Sequence, residues 1–308
     1  MPLPSDEKVV QTSSAIVSTL HSIFGPHPGF RPVHAKGVLL KGTFTPTEAA
    51  KALSKAPHFN NASTPIIARF SSFTGIPEIP DTDPNGNPRG FAIRFVLAET
   101  PRRVHTDIIT HSVDGFRGST GQDALGFFTA LKDGSIDDYL ASHPKALAFV
   151  QAPKPTPASF GKEKYFGVNA FKLIAANGGE TFIRYRIVPE AGEEYLDEET
   201  LKGKSPSFLY DGVPELLKAG PIAFKLKAQI AEDGDVTDDS TVKWPAERQV
   251  VELGAINLES VLDNQAAQQK RIIFDPIPRV DGVEASADPL LDVRAGIYLL
   301  SGRERRAA

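Results

Sequence analysis

The order of residue patterns along these 308 residues predicts an α+β fold built on an antiparallel β-barrel with flanking helices. Three observations carry that expectation. Strand-like runs fill much of residues 33–113, give way to a helical stretch, and resume after residue 170. One run, GFAIRFVLA, alternates cleanly, with Phe91, Ile93, Phe95 and Leu97 on one face and Arg94 on the other. Finally, Asn177-Gly178-Gly179 joins two β-rich runs, FKLIA and ETFIRYRIVP, as a tight hairpin, which pairs neighbouring strands antiparallel.

Taken in order, residues 5–24 space Val9, Val10, Ile16, Val17, Leu20, Ile23 and Phe24 as an amphipathic helix, ended by Gly25-Pro26. VHAKGVLLKGTF, PIIARFSSF, GFAIRFVLA and TDIITHSV follow as strands between Pro, Gly, Asn and Asp clusters. QDALGFFTALKDG and DYLASHPKALAFV read as helices over 119–152, before the proline-rich PKPTP. After the hairpin, residues 190–219 read as an acidic, loop-rich stretch. IAFKLKAQIAEDGDVTDD and RQVVELGAINLESV return to strand, and a last helix over 288–306 opens with Asp288 as N-cap and Pro289 at its first position. No internal repeat or low-complexity linker divides the chain. The expectation is a single domain over 1–308, with its barrel strands and helices at 27–260.

Composition narrows the chemistry. A formal charge of −4 gives no basic footprint for nucleic acid or anionic membranes. No run approaches the ~20 apolar residues of a membrane span, and MPLPSDEKVV lacks the basic start and apolar run of a secretory signal, so a cytoplasmic location is expected. The chain has no cysteine and one methionine. Disulfides, thiolate-bound zinc, iron–sulfur clusters and cysteine nucleophiles are thereby excluded, which leaves His, carboxylate, Tyr or a porphyrin to hold any metal. Few side chains remain that peroxide oxidises easily.

The C-terminal segment DPLLDVRAGIYLLSGRERR supplies the first chemical motif. Arg294, Tyr298 and Arg305 are spaced by four and then seven residues, which on a helix rotates them to within about 40° of one face. Neighbouring cations favour the phenolate form of a tyrosine, and tyrosinate is one of the few protein ligands of ferric haem. A basic helix end on a packed tyrosine has the same pattern, so this motif alone does not decide the matter.

A second motif, RPVHAKG at 31–37, places His34 at the expected start of a strand. Together with PIIARFSSF, NPRGFAIRF, IIFDPIPRVDGVEAS and the Arg-x-x-x-Tyr helix, it resembles the haem catalase family in sequence and in order across nearly the whole chain. The resemblance implies a catalase-like barrel and haem, of the b type, as cofactor. His34 matches the distal histidine, Ser71 its serine partner, and Val33 a residue bordering the channel above the iron. Tyr298 matches the proximal iron ligand, Arg294 the arginine bonded to its phenolate, and Arg31, Arg69 and Arg305 the arginines that pair with haem propionates. Strand alternation alone puts Arg31 and His34 on opposite faces, so their approach to one haem is implied by the family only.

Two departures shape the functional expectation. In place of the family's D-L-V-G-N-N-T-P the chain has DIITHSVD, so His111 stands at the distal asparagine's offset, with Asp114 as the alternative. Phe116 matches an aromatic stacked on a pyrrole, while Phe127 and Phe128 compete for a second such position. The chain also ends ten residues after Tyr298, without the family's wrapping segment and NADPH-binding helical domain. The resemblance is therefore to a minimal catalase-related peroxidase. His34 would move a proton between the oxygens of a peroxide, and a small organic reductant would supply electrons. Replacing the asparagine should leave only modest catalase activity and better turnover with a donor. No NADPH is expected, and a homodimer rather than the usual tetramer. An allene-oxide-synthase-like hydroperoxide isomerase and a non-catalytic haem sensor are the alternatives. Phe-rich strands could line a pocket for apolar reductants, although ordinary barrel core explains them as well.

Overall fold

Residues 2–308 are described by the structure, a computed structural model. The chain runs through α1 (Glu7–Phe24), β1 (Gly37–Pro46), α2 (Glu48–Leu53), α3 (Pro57–Asn60), β2 (Thr64–Ser71), β3 (Gly90–Ala98) and β4 (Val104–His111). It continues through α4 (Gly121–Asp133), α5 (Ile136–Ser142), α6 (Pro144–Gln151), β5 (Tyr165–Phe166), β6 (Phe171–Ile174) and β7 (Glu180–Pro189). The last part comprises α7 (Glu198–Lys202), α8 (Phe208–Ala219), β8 (Ile222–Ile230), β9 (Val250–Val261), α9 (Gln265–Arg271), β10 (Val283–Ala285) and α10 (Leu290–Ala307).

Every strand pairing is antiparallel. Among the described residues the order β7-β5-β4-β3-β2-β1-β9-β8 closes on itself where β8 pairs β7, so eight strands form a barrel; β6 and β10 extend it beside β7. Closure removes the free edges an open sheet would expose. The interior is an apolar cluster in which Phe70 lies 4.8 Å from Phe160, with parallel rings, and 4.6 Å from Phe91.

Period-two alternation sends the neighbours of these core residues outward. Across β2, β3 and β4 the register aligns Ser71 with Gly90 and His111, and Arg69 with Ala92 and Ile109. Arg94 faces Asp107 in the next row and grips its carboxylate through two hydrogen bonds of 2.9 and 2.7 Å. That carboxylate also accepts the Asp275 N–H at 2.7 Å, tying the segment after α9 across the outer face.

Helix α1 begins where the Asp6 carboxylate caps the Lys8 N–H and ends at Gly25, whose φ of 86° suits glycine. It buries Ile16, Val17 and Leu20 and packs on α4 and α10. Helix α4 carries a capping box between Thr120 and Asp123. Helix α10 begins at Leu290, its N–H accepted by Asp288 at 2.9 Å, with Pro289 already helical.

Two local expectations are corrected. His34 is not in a strand: β1 starts at Gly37, and His34 has φ 58°. And residues 190–219, read as a loop-rich stretch, hold the short α7 and α8, the latter with Pro214 inside it and Leu209 and Val213 buried. Burial of that apolar stripe on the barrel outweighs the proline and Gly212.

Candidate active site

Between the outer face of β2–β4, the segment 31–34 and helix α10 lies a cavity with about 1260 Å³ of empty space, part of it continuous with solvent. All ten residues singled out from the sequence line it: Arg31, Val33, His34, Arg69, Ser71, His111, Phe116, Arg294, Tyr298 and Arg305. Phe128 lines it and Phe127 does not. Asp114 turns away to pair with Arg186 at 3.3 Å, so His111, not Asp114, faces the cavity.

On one wall, His34 Nδ1 lies 3.1 Å from Ser71 Oγ, which leaves Nε2 open to the cavity. The left-handed backbone at His34 is rare for a residue with a side chain and costs ~1–3 kcal/mol. It is held by its N–H donating to Phe73 O at 2.8 Å and its carbonyl accepting Arg69 Nη2 at 2.9 Å. Gly90 makes the pair possible: a Cβ there would fall 2.5 Å from Ser71 Oγ and 3.0 Å from His34 Nδ1. Protein packed around His34, with Arg69, His111, Arg117 and Arg31 nearby, holds its pKa well below the ordinary histidine value, so the ring is neutral. His111 is pushed down to about 3, first by burial and then by Arg294, Arg117 and Lys154. Its Nδ1 accepts the Val113 N–H at 3.3 Å, which assigns the ring proton to Nε2, a buried donor without a partner.

On α10, Arg294 donates to the Tyr298 hydroxyl at 3.1 Å through Nη2 and 3.4 Å through Nε. Its Nη1 donates to the Asn169 side-chain Oδ1, and Asn169 Nδ2 donates to the Asp288 carboxylate at 2.7 Å. Arg305, expected to flank the phenol from the other side, instead donates to Ser301 at 2.7 Å and to Ile272 O at 3.1 Å. Seven residues is two turns, too far for that guanidinium to reach back to the phenol.

Arg31, Arg69 and Arg305 gather at one end. Gln269 Oε1 accepts from Arg31 at 3.0 Å and Arg69 at 2.8 Å, while Ile272 O accepts from Arg31 at 3.1 Å and also from Arg305. No protein carboxylate lies within ion-pair distance of any of the three among the described residues. Burial lowers each pKa, Arg31 furthest because Arg69 and Arg305 repel it, and Arg69 and Arg305 to about 10. Three cations without an anion, Arg69 and Arg305 buried and Arg31 half-buried, are what a ligand bearing two carboxylates would satisfy. The described residues contain no cluster of three His, Cys, Asp or Glu able to hold a metal.

The family model described as Catalase matches residues 29–108 and 128–308. The chain belongs to the catalase family. It is 33% identical to the catalase-related peroxidase of Mycolicibacterium paratuberculosis, over 96% of this chain and 95% of that protein. It is 31% identical to the catalase-related peroxidase of Synechococcus elongatus, over 96% of this chain and 88% of that one. Against the catalase of Latilactobacillus sakei it is 27% identical and spans 62% of that protein's length. Catalase A from Saccharomyces cerevisiae shares the fold with a TM-score of 0.80 over 90% of this chain and 61% of that one, at 23% identity.

Sequence reasoning missed Gln269, Asn169, Arg117 and Phe149. Gln269 lies in the polar QAAQQKR of α9, and Asn169 precedes a strand; neither pattern carries a chemical signal. Arg117 follows Phe116 directly, and only the fold reveals its burial.

Proposed function

We propose that the chain is a haem-dependent peroxidase that reduces hydrogen peroxide and organic hydroperoxides at the expense of a small organic donor, with weak catalase activity. Membership of the catalase family implies haem and peroxide, and the two catalase-related peroxidases match along nearly all of this chain. The observation that carries the residue assignments is that His34–Ser71, Arg294–Tyr298 and an arginine trio without a carboxylate partner all line one cavity. With no cysteine for thioether attachment, haem b is the fitting type, and turnover should not require NADPH.

A bound haem supplies the redox chemistry of peroxide reduction. Tyr298 would hold its iron, and the positive charges of Arg31, Arg69 and Arg305 would pair with its carboxylates. His34 Nε2 takes the proton from one peroxide oxygen and returns it to the other, so that water rather than hydroxide leaves. That work requires a neutral ring, and the depressed pKa keeps it neutral through the mildly acidic range. Ser71 Oγ accepts the Nδ1 proton and thereby turns the Nε2 lone pair to the cavity. His111, at the offset of the family's distal asparagine, offers its Nε2–H to the cavity, and this replacement is expected to lower catalase turnover.

The direct test is the absorption spectrum of haem-loaded protein before and after one equivalent of peroxide, for the native chain and Tyr298→Phe. A high-spin ferric Soret band that shifts with peroxide, and that the substitution alters, is expected. A native chain with no Soret band would remove the reading. Conversion of a fatty-acid hydroperoxide with neither donor oxidation nor oxygen release would favour the isomerase.

A further inference from the structure

Arg117 is a cation that the reaction as derived does not use. It is 9% exposed and lies over the rings of Phe128 at 4.5 Å, Phe116 at 4.6 Å, Phe127 at 5.6 Å and Phe73 at 5.7 Å. Its Nε is buried without a hydrogen-bond partner, and none of its donors meets a protein acceptor or carboxylate among the described residues. The Nη groups open on the same cavity as His34 and Tyr298. Unlike Arg31 and Arg69, it has no glutamine or carbonyl to share.

Ring faces hold a guanidinium in place, but they accept none of its five N–H bonds. A cation so held is pre-organised for an acceptor arriving from outside the chain. Burial lowers its pKa to about 10, which leaves it charged at neutral pH.

We propose that Arg117 is an anion receptor inside the cavity, which selects an amphiphilic organic molecule by docking its carboxylate on the guanidinium while its apolar body lies on the Phe rings and on Ile16 and Leu20 of α1. The arginine trio is the group matched to the haem carboxylates, so Arg117 is a fourth cation with a different partner. A monoanion fits better than a phosphate: one buried guanidinium would leave a dianion's second charge unpaired. The carboxylate can belong to the hydroperoxide or to the electron donor. The inference rests on the haem-peroxidase reading.

The test uses haem-loaded native protein, Arg117→Met and Arg117→Lys, and reads equilibrium binding from the Soret difference spectrum. Decanoate and 1-decanol are the probes, alike except for the charged head. The native protein should bind decanoate at least about tenfold more tightly than decanol, Arg117→Met should lose that preference with haem retained, and Arg117→Lys should keep part of it. Equal affinity for the two probes in the native protein, or an unchanged preference in Arg117→Met, would overturn the proposal. Steady-state kinetics then separate the sources. If the hydroperoxide is the anion, the KM preference for linoleic acid hydroperoxide over its methyl ester falls about tenfold in Arg117→Met; if the donor is, the preference for 4-hydroxyphenylacetate over 4-methylphenol falls instead. Failure of the peroxidase reading is distinct, since the native protein would then lack peroxide-shifted haem absorption.

Discussion

The two faces of strands β2–β4 share one backbone and differ at every second residue. Inward, Phe70, Phe91, Ile93 and Phe95 are sealed in rings and aliphatic carbon. Outward, Arg69 and Ser71 are as well covered as that core, and His111 stands beside them, yet these side chains are polar. Burying polar groups without full pairing costs ~1–3 kcal/mol each, and the outer side of the barrel carries orphans such as His111 Nε2 and Arg305 Nε. The inner face therefore accounts for cohesion. The outer face carries polar side chains that the proposed reaction uses, while the inner face has an orphan of its own at His58 Nδ1.

Substitutions should separate the two faces by which measurement they move. On the outer side, His34→Ala should slow the reaction with peroxide by about 10²–10⁴-fold, the usual contribution of general acid–base catalysis. Stopped-flow absorption of haem-loaded protein reads this directly, and a loss under tenfold would take proton transfer away from His34. The urea midpoint should barely fall, because the substitution creates no core cavity. On the inner side, Phe70→Ala should cost ~3–5 kcal/mol of stability, the range for emptying a packed phenylalanine site. The fraction still folded should keep its Soret band and peroxide rate. A rate loss larger than the stability loss would mean that the inner face also sets the geometry of the site.

A third comparison uses pH. His58 is buried inside the barrel between Phe59 at 4.0 Å and Phe95 at 4.6 Å, and burial lowers its pKa from 6.5 to about 3. Below 6.5 the unfolded chain binds a proton at this residue that the folded one refuses. Stability is therefore complete above 6.5 and declines as pH falls towards 3. At ~1.4 kcal/mol per pH unit, acidification from pH 7 to 4 should cost of order 3 kcal/mol at this residue alone. His58→Leu should recover most of that difference in urea titrations at the two pH values. An unchanged difference would mean that His58 takes up its proton without unfolding.

The alternation legible in GFAIRFVLA yields β3 at Gly90–Ala98 and places Phe91 and Phe95 in the barrel core, Phe91 also bordering the cavity. The same rule misled at His34. Period two speaks only for residues inside a strand, and the turn that brings Arg31 and His34 to one cavity depends on a left-handed residue no pattern announces. The family resemblance located those residues where periodicity could not. Helix α8 was hidden by Pro214 and Gly212, local signals that tertiary burial overrides. Gln269 and Asn169 were illegible for another reason: an amide acts by where the fold puts it, and its sequence context looks like any polar surface.

The smallest expected effect tests how finely the outer face is tuned. Ser71 touches no reacting atom by this reading; it is a positioning residue that acts through His34 Nδ1 at 3.1 Å. Losing one such hydrogen bond is worth ~1 kcal/mol, so Ser71→Ala should slow the peroxide reaction about fivefold. Without an acceptor at Nδ1 the ring is free to carry its proton on Nε2, the wrong tautomer for a base, and the loss should appear in the rate at every pH where the ring is neutral. Ser71→Thr keeps a hydroxyl at that distance and should recover most of the rate, provided its extra methyl fits beside Gly90. Equal rates in Ser71→Ala and the native chain would mean that His34 is oriented by its backbone alone, through Phe73 and Arg69.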